Sequence, residues 1–412
     1  MMRAVNCRFC GQHLTHVFVD LGMSPLCQTH ITHEQLNAME PFYPLRVYVC
    51  RECLLVQLEE FVAPADLFSE YAYFSSYSDS WVEHARRYCD LVCERFKLGG
   101  GSSVMEIASN DGYLLQHFVA RGIPALGIEP AANVAEAARA KGVRTVTRFF
   151  GRQSAEEIRD EHGAPDLLVG NNVLAHVSDI NDFVAGLRVL LKKDGVITME
   201  FPHLMQLIEL NQFDTIYHEH FSYFSFSTAV KVFAAHGLAI FDVERLPTHG
   251  GSLRIYARHV EDSAKPIGVR VLELLELEAC KGYTRIDAYL SFEDQVRRTK
   301  RSLLELLIAA KGQGRRIVGY GAPGKGNTLL NYCGIRSDFL DFTVDRNPYK
   351  QGKLTPGTHI PILAPERLFE ARPDYVLILP WNIKEEIMQL LERIRSWGGK
   401  FVVPIPTTQV LE

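Results

Sequence analysis

Acid–base side chains are concentrated in one short run, Tyr217-His218-Glu219-His220. The run follows Glu200–His203, which ends an apolar stretch, so we expect it at the carboxyl edge of an α/β sheet, where such proteins bind ligands. A neutral imidazole, with an ordinary pKa of about 6.5, accepts a proton near neutral pH, and tyrosine hydroxyls donate to an oxygen that gains charge. The run therefore predicts a cleft with a general base. A metal site on His218 and His220 and a purely structural polar network are the alternatives, although H-E-H lacks the H-E-x-x-H spacing of zinc proteases.

Two C-x-x-C units, Cys7 to Cys10 and Cys50 to Cys53, predict a metal site. Each such turn places two thiolates on one edge of a tetrahedron, so two turns complete a closed Zn²⁺ site. Because a site of four cysteines has no open coordination position, we expect this zinc to stabilise the fold and to do no chemistry. Two thioredoxin-like redox pairs are the alternative. Nearby histidines could also replace a ligand, namely His13, His16, His30 and His33.

A first nucleotide-binding pattern lies in the middle of the chain. An apolar run from Val104 enters the turn E-x-A-x-N-x-G, and the next apolar run ends at Glu129. An acid at the end of a second strand is placed to accept both ribose hydroxyls of a nucleoside. The pattern resembles class I methyltransferases, although alanine and asparagine stand where glycines are common, and a Rossmann-like domain with vestigial loops is the alternative. The predicted cofactor-binding residues are Glu106, Ala108, Asn110, Gly112, Glu129, Asn171 and Asn172.

A second glycine pattern, Gly319-x-Gly321-x-x-Gly324, follows an apolar run and precedes an acid, Asp345. This is the spacing of a dinucleotide fingerprint. Pro323 lies inside the loop and has no backbone N–H to offer a pyrophosphate, which weakens that interpretation. We therefore expect no NAD(P) at this loop. A site for another phosphorylated ligand and a tight strand–helix turn are the alternatives.

Composition favours a multi-domain globular protein. A chain of 412 residues exceeds one ordinary core, and its net charge of −5 gives no strong field for a nucleic-acid backbone. We see neither a signal peptide nor an apolar run near the roughly 20 residues of a membrane span. Nine cysteines, an odd number, then favour a reducing cytoplasm, with the thiols outside the two pairs buried or incidental. We expect neither nucleic acid nor a membrane as a partner; the oligomeric state stays open, with a monomer as the starting expectation.

Three zones of the sequence predict three domains. Residues 1–70 are irregular and rich in cysteine and histidine, and residues 71–258 alternate helical stretches with short apolar runs. Residues 259–412 begin with long helical stretches and continue as a second alternating pattern. Short apolar runs between helices are typical of parallel sheets. The predicted fold class is α/β, with a small N-terminal zinc-binding module, a class I methyltransferase Rossmann-like domain and a C-terminal second Rossmann-like domain.

Together these motifs resemble the nucleotide-sugar C-methyltransferases of deoxysugar biosynthesis, and the pattern is similar to that of the sugar 3′-C-methyltransferases of the tetronitrose pathway. The resemblance spans essentially the whole chain. It implies a zinc-binding N-terminal domain, a central domain that uses S-adenosylmethionine, and a C-terminal Rossmann-like domain that does not use NAD. Besides the two cysteine pairs, the segments that carry it are Glu106–Gly112, Asn171–His176, Tyr217–His220, His249–Arg254 and Gly319–Thr328.

The family implies methylation of a nucleotide-linked 4-keto-6-deoxysugar at the carbon beside the ketone, C3. An unactivated carbon cannot attack a methyl sulfonium but an enolate can, so a base must first remove the α-proton. Matched onto this chain, His220 is the expected base, with Glu219 and Tyr217 beside it. Either Tyr71 or Tyr73 is expected to face the sugar. The base of the nucleotide (dTDP, GDP or CDP) and methylation at C5 in place of C3 stay open.

The sugar nucleotide is expected to contact three segments of the chain. The turn at His249 could instead be a hinge between domains, and Arg254 could pair with a carboxylate and not with a phosphate. The predicted substrate-binding residues are Ser75, Ser76, His249, Gly250, Arg254, Lys325 and Asn327.

Two other functions are alternatives to sugar C-methylation. The first is an NAD(P)-dependent oxidoreductase or epimerase of sugar nucleotides that uses Gly319–Gly324. The second is a zinc adaptor whose α/β domains only bind a nucleotide, which leaves the run Tyr217–His220 unexplained.

Overall fold

Short apolar runs of the sequence form the strands of the protein. The computed structural model describes residues 5–68 and 74–412. The strands of these residues, in chain order, are β1 (His16–Ser24), β2 (Tyr43–Val49), β3 (Val56–Leu58), β4 (Val104–Ile107), β5 (Ala125–Ile128), β6 (Thr145–Val146), β7 (Leu167–Asn171), β8 (Val196–Pro202), β9 (Ser222–Tyr223), β10 (Leu238–Leu246), β11 (Ser252–His259), β12 (Ile317–Tyr320), β13 (Thr343–Val344), β14 (Ile362–Leu363), β15 (Tyr375–Ile378), β16 (Lys400–Val403) and β17 (Gln409–Leu411).

Helices form where apolar residues recur at three- and four-residue spacing. Some begin at a capping side chain, as when Ser225 accepts the backbone N–H of Thr228. The α-helices are α1 (Pro64–Phe68), α2 (Asp79–Phe96), α3 (Leu115–Val119), α4 (Ala132–Ala140), α5 (Arg152–His162), α6 (Ile180–Leu190), α7 (Leu204–Glu209), α8 (Phe226–Ala235), α9 (Val269–Cys280), α10 (Asp287–Leu290), α11 (Phe292–Gly312), α12 (Gly324–Cys333), α13 (Glu366–Ala371) and α14 (Lys384–Leu390). None of the helices in the described ranges is long and apolar enough to cross a membrane.

The chain divides into two compact units, and the first falls within Met1–Leu14, Cys50–Leu204 and Phe221–Thr284. In its described residues a seven-stranded sheet has the order β10-β11-β8-β7-β4-β5-β6. Neighbouring strands from β8 to β6 in this order run parallel, and the hairpin β10–β11 adds two antiparallel strands beside β8. Because parallel strands end at the same edge of a sheet, the turns after β4, β5, β7 and β8 lie on one edge.

The second unit falls within Thr15–Val49, Met205–His220 and Arg285–Glu412. Its described residues form a six-stranded sheet of order β14-β13-β12-β15-β16-β17, in which only the last pair is antiparallel. The antiparallel hairpin β1–β2 packs against α11, where the rings of Phe18 and Phe292 stack with centroids 4.7 Å apart. The run Tyr217–His220 therefore folds with the C-terminal sheet, although in sequence it follows β8.

The predicted α/β class is confirmed, and the apolar runs expected to be strands form β4, β5, β7 and β8. The hairpin β10–β11 was not predicted, because charged residues interrupt its apolar pattern. Arg254 of β11 lies opposite Glu244 of β10 in the ladder, and this pairing satisfies charges that the sequence pattern shows as exposed. The boundaries of the three predicted domains stay a prediction.

Candidate functional site

The four cysteines of the two C-x-x-C units come together in the first unit. Their sulfur atoms all lie within 4.8 Å of one another, and the Sγ atoms of Cys7 and Cys53, like those of Cys10 and Cys50, are 3.5 Å apart. Tetrahedral zinc with Zn–S bonds of about 2.3 Å needs sulfurs roughly 3.8 Å apart, so the donor set fits zinc. Four thiolates leave no open coordination position, which makes the site structural. Within the described residues no histidine joins this cluster.

The turn after β4 adopts the conformation of a glycine-rich loop with fewer glycines. Ala108, Asn110 and Gly112 all have positive φ angles, of 54°, 49° and 75°. Alanine rarely takes this left-handed conformation, whereas asparagine tolerates it better than most residues, and residues held in it cluster at binding sites. At both departures from glycine in the pattern E-x-A-x-N-x-G, the backbone therefore keeps the left-handed conformation that glycine adopts readily.

Acidic side chains surround this loop. The Glu129 carboxylate accepts the backbone N–H of Asn110 and of Ala131, both at 2.9 Å. Glu106 is 0% exposed, and among the described residues neither of its carboxylate oxygens has a hydrogen-bond partner. Burial, followed by the nearby charges of Glu129 and Asp111, raises the pKa of Glu106. A cationic ligand such as S-adenosylmethionine, which carries a sulfonium and an ammonium group, fits this excess of carboxylates.

Ser75 and Ser76, predicted to bind the sugar, contact the cofactor loop. The backbone N–H of Ser75 donates to Asn110 Oδ1 at 2.8 Å, and the hydroxyl of Ser76 donates to Asp111. Lys141, at the end of α4, donates to the same Asp111 carboxylate at 2.8 Å. Sequence reasoning missed Asp111 and Lys141, since no motif marks either residue. Tyr71 and Tyr73, one of which was expected to face the sugar, lie outside the described residues.

The predicted residues after β7 and β10 meet at the same sheet edge. The Asn172 amide lies 3.3 Å from His249 Nε2, and both residues have a φ of 54°. Asn171 ends β7 and is buried, and Gly250 continues the turn with a φ of 90°. The ring of Trp81, which the sequence did not single out, lies 5.0 Å from that of His249. Two strained residues in contact mark this edge as a second part of the candidate site.

Arg254 pairs with carboxylates, which was the alternative to binding a phosphate. Its guanidinium lies 3.0 Å from Glu200 and 3.2 Å from Glu244. His84 and Thr248 also donate to the Glu200 carboxylate. Burial raises the pKa of Glu200, but these donors outweigh it and hold that pKa below its usual value. Because its guanidinium is already paired, Arg254 stays only a prediction as a substrate contact.

The run Tyr217–His220 lies in the second unit. His220 is 9% exposed, its Nδ1 lies 3.0 Å from the carbonyl oxygen of Thr215, and its ring centroid is 4.1 Å from that of Tyr217. Burial raises the pKa of Glu219 to about 7, although the thiol of Cys27, 3.8 Å away, lowers it. In the described part of the chain these histidines form no metal cluster. His220 is thus a buried imidazole that directly follows, in sequence, a carboxyl group whose pKa lies near 7.

His218 points to a different partner from His220. Its Nε2 lies 3.2 Å from the carbonyl oxygen of Pro44, and its ring packs edge-on against Tyr43. Burial lowers the pKa of its imidazole. These contacts attach the run to the β1–β2 hairpin of the same unit.

The second glycine loop is filled by the protein itself. A Cβ on Gly319 would lie 2.6 Å from the Thr343 hydroxyl, and one on Gly324 would lie 2.9 Å from Cys27 Sγ. The carboxylate of Asp345, which would bind a ribose in a dinucleotide site, accepts the N–H of Ala322 at 2.8 Å within the loop. Close packing thus explains the glycines, which favours the tight-turn interpretation over a phosphate cradle.

Lys325 and Asn327 begin the helix after this loop and have internal partners. The amine of Lys325 donates to Asn382 Oδ1 at 2.7 Å, and burial lowers its pKa. The amide of Asn327 donates to the carbonyl oxygen of Cys27 at 2.6 Å. Their predicted contact with the substrate stays a prediction.

Family models match three stretches of the chain. Residues 7–68 match a domain described as zinc-binding, residues 80–243 match a methyltransferase domain, and residues 247–406 match a C-methyltransferase C-terminal domain. The zinc-binding match contains the cysteine cluster, the methyltransferase match contains the left-handed loop with its carboxylates, and the C-terminal match contains the second glycine loop.

A named relative matches the chain almost from end to end. C-methyltransferase NovU of Streptomyces niveus is 37% identical over 408 residues, which cover 98% of this chain and 96% of that protein. Among solved structures, 1,6-didemethyltoxoflavin-N1-methyltransferase of Burkholderia thailandensis, with S-adenosylhomocysteine bound, has 17% identity and a TM-score of 0.37 over 50% of this chain and 95% of its own. Magnesium protoporphyrin IX methyltransferase of Synechocystis PCC 6803 has 13% identity and a TM-score of 0.34 over 43% and 78%.

At these TM-scores the two solved structures carry no further argument; the family models and the full-length relative do. They agree with the acidic cofactor loop and the four-cysteine site, so S-adenosylmethionine is the methyl donor and zinc the structural metal. The chain belongs to the S-adenosylmethionine-dependent C-methyltransferases that carry an N-terminal zinc-binding domain.

Proposed function

We propose that the protein methylates C3 of a nucleotide-linked 4-keto-6-deoxysugar through an enolate of the sugar. S-adenosylmethionine supplies the methyl group when it is bound. The chain's own residues must hold the sugar, remove the α-proton and stabilise the oxygen that gains charge. The placement of His220 is the observation that carries the proposal.

The hydrogen bond of His220 determines which ring nitrogen acts as the base. Its Nδ1 lies 3.0 Å from the Thr215 carbonyl oxygen, which can only accept, so Nδ1 carries the hydrogen. Nε2 therefore holds the lone pair and takes the α-proton, while the electron pair of the broken C–H bond moves to the ketone oxygen. After the new C–C bond has formed and the ketone has returned, the imidazolium releases its proton to water.

Glu219 and Tyr217 are the proposed partners of the base in this step. With a pKa near 7, Glu219 is partly protonated at neutral pH and can donate to the developing enolate or accept from its neighbours. The ring of Tyr217 packs on the imidazole, and its hydroxyl is the proposed donor to the enolate oxygen. The sugar and its nucleotide are supported by the motif resemblance.

Proton exchange separates the base from the methyl transfer. With S-adenosylhomocysteine bound in deuterated water, we expect the wild type to exchange the C3 hydrogen of dTDP-4-keto-6-deoxyglucose. His220→Asn should exchange at least about 100-fold more slowly, as is typical for loss of a general base. Tyr217→Phe should slow turnover less, because it removes one donor and leaves the base in place.

His218→Asn is the matched control, since it changes the neighbouring imidazole that contacts Pro44. It should keep exchange within a few-fold of the wild type. If His220→Asn exchanges at the wild-type rate while still binding S-adenosylhomocysteine by calorimetry, the base lies elsewhere. Proton NMR of the methylated product then distinguishes C3 from C5.

A further inference from the structure

Helix α12 follows the second glycine loop and presents one face to the segment that directly precedes the run Tyr217–His220. Lys325, Thr328 and Tyr332 are spaced by three and four residues, so they lie on the same side of this helix. All three belong to the second unit, as does the segment Met205–His220. The motif that matches a dinucleotide fingerprint therefore needs another explanation, and this face provides one.

The face of α12 contacts the short 3₁₀ turn Phe213–Thr215 and the residue after it. The hydroxyl of Thr328 donates to the carbonyl oxygen of Ile216 at 3.1 Å. The ring of Tyr332 packs edge-on against Phe213, with centroids 5.4 Å apart. The turn is thus held by a hydrogen bond at one end and by an aromatic contact at the other.

The middle of the turn is fixed by a buried polar group. The Asp214 carboxylate accepts the indole N–H of Trp381 at 2.7 Å, and the amine of Lys325 lies 4.9 Å from the same indole ring. Asp214 is fully buried, so this bond cannot exchange readily with water. Residues from α12 and from the segment after β15 thus hold the turn together.

The turn in turn holds the proposed base. The carbonyl oxygen of Thr215 accepts from His220 Nδ1, and the backbone N–H of His220 donates to the main-chain carbonyl oxygen of Tyr217 at 2.9 Å. A second connection runs from Asn327 through the Cys27 carbonyl, and the Cys27 thiol reaches Glu219. His220 is therefore linked to α12 through Thr215 and Ile216, and Glu219 is linked to it through Cys27.

We propose that α12 positions the catalytic base, with Thr328 and the Asp214–Trp381 pair as positioning residues for His220. This inference rests on the proposed function of His220. By fixing the carbonyl of Thr215, the helix keeps the hydrogen on Nδ1 and directs Nε2 to the substrate. The glycine-rich loop is the close-packed start of this supporting helix.

Thr328→Val tests the proposal, because it keeps the side chain's shape and removes its hydroxyl. Thr358→Val is the matched control, since Thr358 is also a buried threonine of the second unit and its hydroxyl is hydrogen-bonded to that of Thr355 at 2.7 Å. We expect Thr328→Val to lower kcat and the rate of C3-hydrogen exchange about ten-fold or more, with KM changed less than about three-fold. Thr358→Val should lose comparable thermal stability and keep kcat.

The tautomer of His220 gives a second readout that stability alone does not move. In ¹⁵N-histidine-labelled protein, the Nδ1–H resonance absent from His220→Asn identifies this residue. It should broaden or shift in Thr328→Val and stay unchanged in Thr358→Val. Trp381→Phe, which removes only the donor to Asp214, should behave like Thr328→Val and replaces it if that variant does not fold.

The outcomes separate the two proposals. If His220→Asn exchanges like the wild type, the proposed base is wrong and the positioning role falls with it. If His220→Asn is inactive but Thr328→Val and Thr358→Val have equal kcat and equal His220 resonances, only the positioning role is wrong.

Discussion

Carboxylates determine the character of the cofactor site at the scale of single residues. Glu106, Asp111 and Glu129 lie around one loop, and the pKa values of Glu106 and Glu129 are raised by burial. Lys141 pairs with Asp111. The site thus has more acidic than basic groups, which fits a methyl donor that carries a sulfonium and an ammonium group against a single carboxylate.

Substitution of Glu129 is expected to weaken cofactor binding. Its carboxylate already accepts the N–H of Asn110 and Ala131, and it is the predicted acceptor for the ribose hydroxyls. Since charge-assisted hydrogen bonds contribute roughly 1.5–3 kcal/mol, Glu129→Ala should weaken S-adenosylhomocysteine binding at least about ten-fold by calorimetry. Glu136→Ala, which changes an exposed glutamate on the following helix, should leave the affinity unchanged. Equal affinities for the two variants would contradict the assignment.

Sequence reasoning at this scale succeeded where chemistry is local to a motif. Four cysteines in two pairs predict their own cluster, and E-x-A-x-N-x-G predicts the turn that follows β4. It failed where a partner comes from a distant segment. Nothing near Asp111 in sequence points to Lys141, and nothing near Ile216 points to Thr328. Such pairs depend on packing, which one sequence without its fold does not specify.

Elements position these residues by holding short turns at several points. The cofactor loop is held from the segment before α2 by Ser75 and Ser76, and from the end of α4 by Lys141. These bonds help to hold Ala108 and Asn110 in the left-handed conformation, which is uncommon for residues other than glycine. The loop is therefore preorganised, so less ordering accompanies ligand binding.

Lys141→Met should show this preorganisation as a loss of cofactor affinity. The ion pair is partly exposed on the lysine side, which limits its contribution to about 1 kcal/mol or less, so we expect S-adenosylhomocysteine to bind about two- to five-fold more weakly. Lys192→Met removes a similar ion pair, with Asp166 at 2.6 Å, that does not touch the loop. Calorimetric titration of both variants is the test, and Lys141→Arg should restore binding. Indistinguishable affinities of the Met variants would show that the loop does not depend on Lys141.

For whole elements, too, the sequence predicts what depends on a local pattern and does not predict what depends on distant packing partners. The parallel strands were predictable because buried strands are continuous apolar runs. The role of α12 was not, because G-x-G-x-x-G describes a close strand–helix turn as well as a phosphate cradle. In the structure, the Cys27 sulfur lies beside Gly324 and the Thr343 hydroxyl beside Gly319, and this close packing favours the strand–helix turn.

At the scale of the whole molecule, the zinc site is part of the methyltransferase unit and not a separate attachment. Arg8, between the first two cysteines, donates to the carbonyl oxygen of Ser178 at 2.7 Å, and Asn181 of α6 donates to that of Phe9 at 2.9 Å. At the second pair, Thr228 of α8 donates to the carbonyl oxygen of Cys53 at 3.2 Å. Both cysteine turns are thus hydrogen-bonded to segments that flank the seven-stranded sheet.

Zinc removal should therefore destabilise the whole first unit. We expect one zinc per chain by elemental analysis, and Cys10→Ser should lose it. Since structural zinc contributes several kcal/mol to folding, and each kcal/mol lost lowers the Tm of a unit of this size by about 2–4 °C, calorimetry should show the unit's transition lowered by about 10 °C or more. Cys280→Ser, which changes an exposed thiol at the end of α9, should keep both the zinc and the Tm. A small separate transition that disappears on chelation, with the main transition unmoved, would instead mean that the zinc module folds independently of the methyltransferase sheet.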